Sequence, residues 1–428
     1  MLKRRDIITA VEIGTSKICV LIGASRPDEP LTIIGRGEAS GGNSVVKGEI
    51  VDMDLALEKL TEALEAADAS AGREINNSRI IAMSVTGCNI NSYQGVGTVF
   101  INAEDQRVSQ AAIGEAIKNA QVKPLPLEQT KINTFDAFYL LDGIRRARNP
   151  ENQVAHKLEA YLHVIHGDTN RIENFRSLMR DAGFEADVKI VFSAIADVYG
   201  ILTDEEKENG VLLVNMGAGT TEYAVVFNMG VLASGVLPVG MEHVANDLSL
   251  GLNLTINQCR KILQDGSLQR SVERRQGVLE MKNAEGALRR IPLSSFERII
   301  DLRLREVFEI IKRRVGEEGI LRNLASGGVL TGGAALFDRT FELFHTVFEF
   351  PVRIGRPYDA SGALTDLENP RYSTVWGVLK FGEECNQIYS AMRPRGMFGR
   401  LAEAVGEAGE VGDRMLRGVG ELFKSIKM

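Results

Sequence analysis

Residues 211–227 read VLLVNMGAGTTEYAVVF, and this stretch decides the fold predicted for the chain. A short apolar strand precedes a turn rich in glycine and threonine, and a second apolar strand follows it. Gly217 and Gly219 are predicted to take left-handed backbone dihedrals and to bring N–H groups close to a ligand. Thr220 and Thr221 add hydroxyl donors at the same place. The stretch is therefore suited to holding a phosphate, although a plain tight hairpin explains it equally well on its own.

Two further stretches carry related patterns. Residues 7–23 read IITAVEIGTSKICVLIG, an apolar strand, a short turn and another apolar strand, and Lys17 adds a cation suited to phosphate oxygens. Residues 328–335 read GVLTGGAA, a strand that ends in a glycine pair whose backbone can lie flat against a ring. The three stretches in this order are far more specific than any one of them alone. Together they predict that three glycine turns converge on one nucleotide.

The composition excludes several classes of protein. The chain has 428 residues, 44% of them hydrophobic, which is enough for two lobes with separate cores. A net charge of −7 and a pI of about 5.5 argue against nucleic acid as the main partner. The four cysteines form no CxxC pair, so neither a zinc site nor a disulfide framework is indicated. No window approaches 18 uninterrupted apolar residues, so no membrane-spanning segment is predicted.

Together these elements resemble the actin, Hsp70 and sugar-kinase ATPase superfamily, and within it the FtsA family of bacterial cell-division proteins. The resemblance runs from residue 7 to the C-terminus and is most specific at residues 11–17 and 328–335, with residues 352–355 and 372–377 also matching. It implies an α/β, actin-like two-lobe ATPase fold made of duplicated ribonuclease-H-like domains. A small inserted subdomain and a C-terminal amphipathic helix complete the expected architecture.

The resemblance also implies boundaries for these parts. The first lobe core (1A) is expected at residues 1–85 and 167–195, with the inserted subdomain (1C) at 86–166. The second lobe core (2A) is expected at 196–245 and 325–385, with subdomain 2B at 246–324. A flexible linker at 386–412 and an amphipathic membrane-targeting helix at 413–428 follow. The insert is expected to contact neighbouring subunits or other division proteins.

By the same resemblance, the cleft between the lobes binds ATP and Mg²⁺. Glu12 and Asn215 are expected nearest the metal and the attacking water, with Asn215 reaching the metal through water. The expected nucleotide-binding residues come from the three turns and from two helices nearby: Gly14, Thr15, Ser16, Lys17, Gly217, Ala218, Gly219, Thr220, Thr221, Gly240, Lys261, Gly332, Gly333 and Ala334.

The chain departs from the family pattern at this site. The family usually has Asp where this chain has Asn215, glycine where it has Ala218, and Asp where it has Glu222. An asparagine keeps a carbonyl oxygen but lacks the charge, so metal affinity and water activation should both weaken. Near Lys261, the family's Glu is replaced by Gln258 or Cys259. We therefore expect ATP to bind with slow or absent hydrolysis, and the sequence leaves open whether the chain is an enzyme.

The end of the chain, residues 413–428, reads DRMLRGVGELFKSIKM and places its apolar residues on one helical stripe with basic residues beside it. Two glycines cost the helix roughly 1 kcal/mol each, so it should form only when the stripe is buried, as at an anionic bilayer. The alternative is a helix docked on its own protein, and residues 397–405 either form a second patch or extend the first. The predicted membrane-binding residues are Arg414, Met415, Leu416, Arg417, Val419, Leu422, Phe423, Lys424, Ile426 and Lys427.

An arginine-rich region begins near residue 289. Such a run is ordinarily a solvated helix face. The resemblance instead implies that this subdomain receives the acidic and apolar C-terminal peptide of FtsZ, a tubulin-like protein. Arg289, Arg290, Arg298 and Arg303 are the candidate partner residues, and Arg298 and Arg303 are predicted to share a helix face.

The sequence thus predicts an actin-like, ATP-binding cell-division protein that polymerises at the inner face of the cytoplasmic membrane, anchors FtsZ filaments and recruits later division proteins. It is expected in the cytoplasm, peripheral on the membrane at the division site. The predicted partners are the FtsZ peptide, further copies of the chain, anionic lipids and other division proteins, but no nucleic acid. A pilus-assembly adaptor would not require the tail or the arginine-rich helix. A small-molecule kinase would require a carboxylate base that position 215 lacks.

Overall fold

The structure is a computed structural model. It describes residues 5–392 except 27–28, 103–104, 185–186, 266–267, 269–276, 283–285, 317–318, 360 and 363–364. The predicted membrane-binding residues, from Arg414 to Lys427, and the possible second patch at 397–405 lie outside the described residues.

The first segment of the chain forms an antiparallel meander covered by a helix. The first two strands are largely buried, and most of their residues are apolar. Asp52 caps the helix by accepting a hydrogen bond from Leu55 N at 3.0 Å. A Cβ on Gly37 would overlap Ala63 O, so the helix lies directly on the third strand. The elements are β1 (Asp6–Ile13), β2 (Lys17–Ser25), β3 (Thr32–Ser40), β4 (Val45–Val46), β5 (Glu49–Ile50), α1 (Met53–Ser70) and β6 (Ser78–Val85).

The insert follows β6 and builds its own sheet. Its long strands pair antiparallel in the order β7-β10-β8-β9. A Cβ on Gly97 would overlap Ala116 O, because the helix packs tightly on one face of this sheet. The elements are β7 (Asn91–Phe100), α2 (Gln110–Ala120), β8 (Gln129–Leu141), β9 (Arg145–Ala147) and β10 (Lys157–Asp168).

The chain then returns to the first sheet and crosses to the second lobe. The connecting strand pairs parallel with β6, which itself pairs parallel with β1. The helix after it is almost wholly buried. The elements of this crossing are α3 (Thr169–Asp181), β11 (Lys189–Phe192), α4 (Ser193–Ile201) and α5 (Asp204–Asn209).

The second lobe repeats the plan of the first. Its elements are β12 (Val211–Met216), β13 (Thr221–Phe227), β14 (Gly230–Leu237), α6 (Met241–Leu252), α7 (Ile256–Gln264), β15 (Val278–Lys282), β16 (Leu288–Pro292), α8 (Leu293–Gly316), β17 (Gly328–Thr331), α9 (Asp338–Phe348) and β18 (Val352–Ile354). The chain then returns to the first lobe, where β19 (Ser361–Gly362) pairs with β3 and α10 (Ser373–Met392) packs in the first core.

The two sheets share one topology. The first runs β11-β6-β1-β2-β3-β19 and the second β18-β17-β12-β13-β14, each with an antiparallel meander followed by parallel strands. This repetition agrees with the predicted duplication. Separate cores lie under the two sheets, and the insert has a smaller core of its own. In the described part of the chain, no helix is long and apolar enough to cross a membrane.

Helix α10 continues to Met392, past residue 386, where the linker was expected to begin. Its last turns are held because Cys385 and Asn386 are buried and Asn386 Nδ2 donates to Asp6 Oδ2 at 3.2 Å. Before α8, β15 pairs antiparallel with β16.

Candidate functional site

A cavity of about 510 Å³ lies between the lobes where the three glycine turns meet. The turns after β1, β12 and β17 all line it, so their predicted convergence is confirmed. The sheet topology explains this meeting, because β1 and β12 occupy equivalent places in the two repeated sheets. The predicted residues that line the cavity are Glu12, Gly14, Thr15, Ser16, Lys17, Asn215, Gly217, Ala218, Gly219, Thr220, Gly332, Gly333 and Ala334.

The two hairpin turns have the same closing hydrogen bond and touch each other. Gly14 N donates to Lys17 O, and Gly217 N donates to Thr220 O, each at 2.9 Å. A Cβ on Gly219 would overlap Thr15 Oγ1. Gly217 and Gly219 do not have positive φ, so the prediction of left-handed dihedrals is wrong for them. Glycine is needed at 219 because of the close approach of the first turn.

Lys17 and Glu12 form a buried ion pair at the edge of the cavity. Lys17 Nζ donates to Glu12 Oε2 at 2.6 Å. Burial lowers the pKa of Lys17, but the Glu12 carboxylate raises it, and the net effect is a raised pKa. The ammonium therefore stays charged at neutral pH and brings a fixed positive charge to the first turn.

Asn215 belongs to a closed hydrogen-bond network whose acidic member was not predicted from the sequence. Its Nδ2 donates to Asp197 Oδ2 at 2.6 Å and to Thr374 Oγ1 at 2.9 Å. Thr374 Oγ1 in turn donates to Asp197 Oδ1 at 3.1 Å. Asp197, on α4, is fully buried, and burial raises its pKa well above the ordinary value, while the Asn215 hydrogen bond opposes that rise.

Glu222 supplies a second buried carboxyl group, and it does line the cavity. Its Oε1 accepts hydrogen bonds from Thr86 Oγ1 at 2.5 Å and from Thr220 Oγ1 at 2.7 Å. Burial raises the pKa of Glu222, and these hydroxyl donors lower it again in part. The site therefore combines glycine turns and a lysine with acidic groups at its closed end.

Three predicted nucleotide-binding residues do not line the cavity. Thr221 is buried and donates from Oγ1 to Val239 O at 2.7 Å. Gly240 packs behind the second turn, where a Cβ would lie 2.5 Å from Ala218 O, so it shapes the turn instead. Lys261 is exposed, and its neighbour Arg260 lines the cavity.

Arg260 replaces Lys261 because adjacent residues on a helix point about 100° apart. Its guanidinium is held by Glu242, with Nε donating to Oε2 at 2.8 Å and Nη2 lying 2.7 Å from the same oxygen. The sequence placed a basic residue near this position, but only the rotation of α7 about its axis selects which one.

The candidate partner arginines are spread over different surfaces. Arg289 and Arg290 lie on β16, where Arg290 Nε donates to Glu280 Oε1 at 2.9 Å. Arg298 is exposed on α8, while Arg303 Nε donates to Asp247 Oδ2 of α6 at 2.6 Å. Five residues rotate a helix by about 140°, so the prediction that Arg298 and Arg303 share a face is wrong.

Arg303 lines a groove between α6 and α8 that the sequence did not single out. Leu250 is 77% exposed and Leu302 is 63% exposed, and both line the groove. The sequence did carry a signal for this groove, because Leu250 and Leu302 occupy helix positions where an amphipathic helix would have polar residues. The remaining lining residues are Asp247, Ile299 and Glu306.

Comparisons with protein families identify the chain. The family model described as "Cell division protein FtsA" matches residues 212–377, and the model "SHS2 domain inserted in FTSA" matches residues 87–166. The chain belongs to the FtsA family. Together the two models match more than half of its residues, and the second coincides with the inserted sheet.

Relatives in this family match nearly the whole chain. The cell division protein FtsA of Borreliella burgdorferi is 27% identical over 393 residues, covering 89% of this chain and 92% of its own length. That of Pseudomonas aeruginosa is 28% identical over 378 residues, covering 88% of this chain and 89% of its own length. That of Escherichia coli is 25% identical over 389 residues, covering 89% and 91%. The FtsA resemblance and a role in cell division are therefore confirmed.

Solved structures confirm the actin-like two-lobe fold. The PilM–PilN type IV pilus biogenesis complex has a chain with a TM-score of 0.60 at 13% identity, covering 88% of this chain and 98% of that chain. MreB5 of Spiroplasma citri bound to AMPPNP has a TM-score of 0.53 at 13% identity, covering 90% and 98%. At these identities the likeness concerns the fold alone.

Proposed function

We propose that this FtsA-family chain binds ATP with Mg²⁺ in the cavity between its lobes and polymerises at the inner face of the cytoplasmic membrane. There it anchors FtsZ filaments and recruits later division proteins. The observation that carries the nucleotide part is the meeting of three glycine turns from two repeated sheets around one cavity.

The cavity fits a nucleotide in size and in chemistry. Its volume of about 510 Å³ lies within the range of small-molecule sites. Gly333 has no atom within 4 Å of the place a Cβ would take, which leaves room beside the third turn for a flat ring. Lys17 and Arg260 supply positive charge, each beside the carboxylate with which it pairs, Glu12 and Glu242. MreB5 of Spiroplasma citri, which shares the fold, was solved with AMPPNP bound.

The acidic end of the cavity fits Mg²⁺ held mainly by phosphate and water. Among the described residues, no three acidic, histidine or cysteine side chains converge as a metal cluster. Mg²⁺ commonly keeps several waters and takes one or two carboxylates with the phosphates. Glu12, Glu222 and Asn215 are the residues that would contact such waters. Bound Mg²⁺ would neutralise the charge of the phosphates.

We propose slow or absent hydrolysis because the polar groups expected near the attacking water already have partners among the described residues. Glu12 accepts a hydrogen bond from Lys17 at 2.6 Å. Asn215 is a neutral amide whose two N–H groups are already donated. Glu222 Oε1 is occupied by two hydroxyl donors. A carboxylate that accepts two such hydrogen bonds is a weaker base toward water than a free one. ATP then acts chiefly by closing the cleft and favouring assembly.

We propose that the groove between α6 and α8 receives the FtsZ C-terminal peptide. Exposed Leu250 and Leu302 offer an apolar surface, and Arg303 lies beside them. The apolar part of such a peptide fits this surface, while Arg303 pairs with Asp247 and Glu306 of the same groove. We expect Leu302→Asp to weaken peptide binding at least about tenfold, because it removes an exposed apolar contact and adds a repelling charge.

Fluorescence anisotropy with a labelled FtsZ C-terminal peptide measures this effect. Val122→Asp is the matched control, since Val122 of the insert is 72% exposed and does not line the groove. Unchanged binding by Leu302→Asp, with an unchanged melting temperature, would remove the groove from the proposal.

We propose that assembly uses the insert and that the tail binds lipid. Leu127 and Ile144 are large apolar side chains on the insert and are almost fully exposed, as expected of a surface that contacts another subunit or division protein. The lipid proposal rests on the sequence of residues 413–428, with its apolar stripe and basic flanks.

Two measurements test the central proposal. Isothermal titration of the full chain with ATP and Mg²⁺ should show saturable binding, and absence of binding at millimolar nucleotide would overturn the nucleotide part. Co-sedimentation with anionic vesicles should retain the full chain and release one that ends at Gly412. The variant Leu422→Asp/Phe423→Asp, which keeps the chain length, should behave like the shortened chain. Both forms remaining in the supernatant would exclude membrane anchoring by the tail.

A further inference from the structure

The network of Asp197, Asn215 and Thr374 leaves one polar atom to the cavity. A primary amide has two donor hydrogens on nitrogen and an acceptor oxygen opposite them. Both hydrogens of Asn215 are used, one on Asp197 Oδ2 and one on Thr374 Oγ1. The Thr374 hydroxyl hydrogen is used on Asp197 Oδ1. The free atom of the three is therefore Asn215 Oδ1.

That oxygen lies on the cavity side of the network. A Cβ on Gly332 would overlap Asn215 Oδ1, so the oxygen sits against the third glycine turn. Gly332, Asn215 and Thr374 all line the cavity, whereas Asp197 lies fully buried behind them. The carboxylate thus touches the amide from the protein interior and has no face toward a ligand.

We propose that Asp197 is a positioning residue that holds Asn215 with its carbonyl oxygen toward the phosphate end of the cavity, as an acceptor for magnesium-bound water. The inference rests on the proposed nucleotide function. Both Asp197 oxygens accept hydrogen bonds in this network, so a reversed amide would direct its oxygen at an acceptor and lose the bond to Oδ2. Thr374 adds a second partner that favours the same orientation.

The network also explains why only one of positions 197 and 215 carries an acid. Two carboxylates at these positions would face each other at the 2.6 Å that separates Asn215 Nδ2 from Asp197 Oδ2. Like charges so close cannot both stay ionised. One acid and one amide satisfy the network, and exchanging them would keep it satisfied while presenting a charged oxygen to the cavity.

This exchange provides the test. The dissociation constant of N-methylanthraniloyl-ATP is measured for the full chain with excess Mg²⁺ and with EDTA, and the ratio of the two constants reports the contribution of Mg²⁺. The melting temperature of each nucleotide-free variant reports stability separately. The variants are Asp197→Asn, Asn215→Asp and the double exchange, with Asp6→Asn as control. Asp6 pairs with Arg79 at 2.6 Å and does not line the cavity.

We expect Asp197→Asn to lower the Mg²⁺ ratio about threefold, because two facing amides can swap donor and acceptor roles. Asn215→Asp should lower the melting temperature, since it places two carboxyl groups opposite each other. The double exchange should restore the melting temperature and raise the Mg²⁺ ratio about tenfold above that of the wild type, because a charged acceptor is stronger than a neutral one. Asp6→Asn should leave the ratio unchanged.

An unchanged ratio in Asp197→Asn, with a lowered melting temperature, would assign Asp197 a merely structural role and overturn the inference. A double exchange that restores stability without raising the ratio would overturn it too. If the wild type binds no nucleotide, the proposed function itself fails and the inference with it. If the wild type binds and the ratios do not move, only the inference fails.

Discussion

Gly219→Ala tests whether the contact between the two hairpin turns is what forms the nucleotide site. The new Cβ would overlap Thr15 Oγ1 and lie 3.0 Å from Lys47 N and from Lys47 Cα. The threonine hydroxyl can rotate away, but the backbone at Lys47, between β4 and β5, would have to move away from the second turn. Overpacking of this kind costs about 1–3 kcal/mol. If this cost falls on the nucleotide-bound state, the dissociation constant for the nucleotide rises by about 5-fold to 150-fold.

Isothermal titration with ATP and Mg²⁺ measures the affinity, and thermal unfolding of the nucleotide-free protein measures stability. Gly114→Ala is the matched control, because Gly114 lies in α2 of the insert and nothing lies within 4 Å of its added Cβ. Alanine is the better helix former by about 1 kcal/mol, so this control should be slightly more stable and should bind ATP as the wild type does. Wild-type affinity in Gly219→Ala would refute the reasoning, since the turns could then separate without consequence for the ligand.

Three further predictions concern other parts of the fold. Gly333→Ala should leave the melting temperature unchanged, because its Cβ meets no protein atom within 4 Å, but calorimetry should show weaker ATP binding because the methyl group enters the cavity. Gly377→Ala should lower the melting temperature by several degrees, because its Cβ would overlap Ala196 O where α10 crosses α4; an unchanged value would show that the helices separate freely. His163 is buried, and burial lowers its pKa to about 4 in the folded protein. Between pH of about 6.5 and about 4 the unfolded chain therefore binds more protons than the folded one, so the free energy of unfolding falls as the pH falls through this window. The loss should be about 3 kcal/mol in urea unfolding, and His163→Gln should lose correspondingly less over the same window.

The local parts of the site were predictable because short sequence patterns determine them. An apolar strand, a glycine turn and a second apolar strand form a hairpin in nearly any context, and both such hairpins are present with the expected turns. The glycine pair at 332–333 was also placed correctly at the cavity. Positive φ, however, occurs at Gly332 and not at Gly217 or Gly219, and at Gly219 the glycine is required by close packing against Thr15 and Lys47.

The acidic network was not predictable because its members come from distant elements. Asp197 lies 18 residues before Asn215, and Thr374 lies 159 residues after it. On α4 alone, Asp197 is one polar residue in a buried helix, and no spacing rule connects it to a strand. Likewise, a helix pattern places both Arg260 and Lys261 near the cleft, and only the packing of α7 decides which of them lines it.

By itself, the sequence determined the repeated hairpins, the glycine turns and the family, since alternation of apolar residues and the backbone freedom of glycine are local properties that each stretch carries with it. Only the tertiary structure decided which charges meet: that Asp197 supports Asn215, that Arg260 and not Lys261 lines the cavity, and that Arg303 joins Leu250 and Leu302 in a groove. The physical reason is that electrostatic and hydrogen-bond partners are selected by distance in space, and distance in space depends on how the two sheets and their helices pack together.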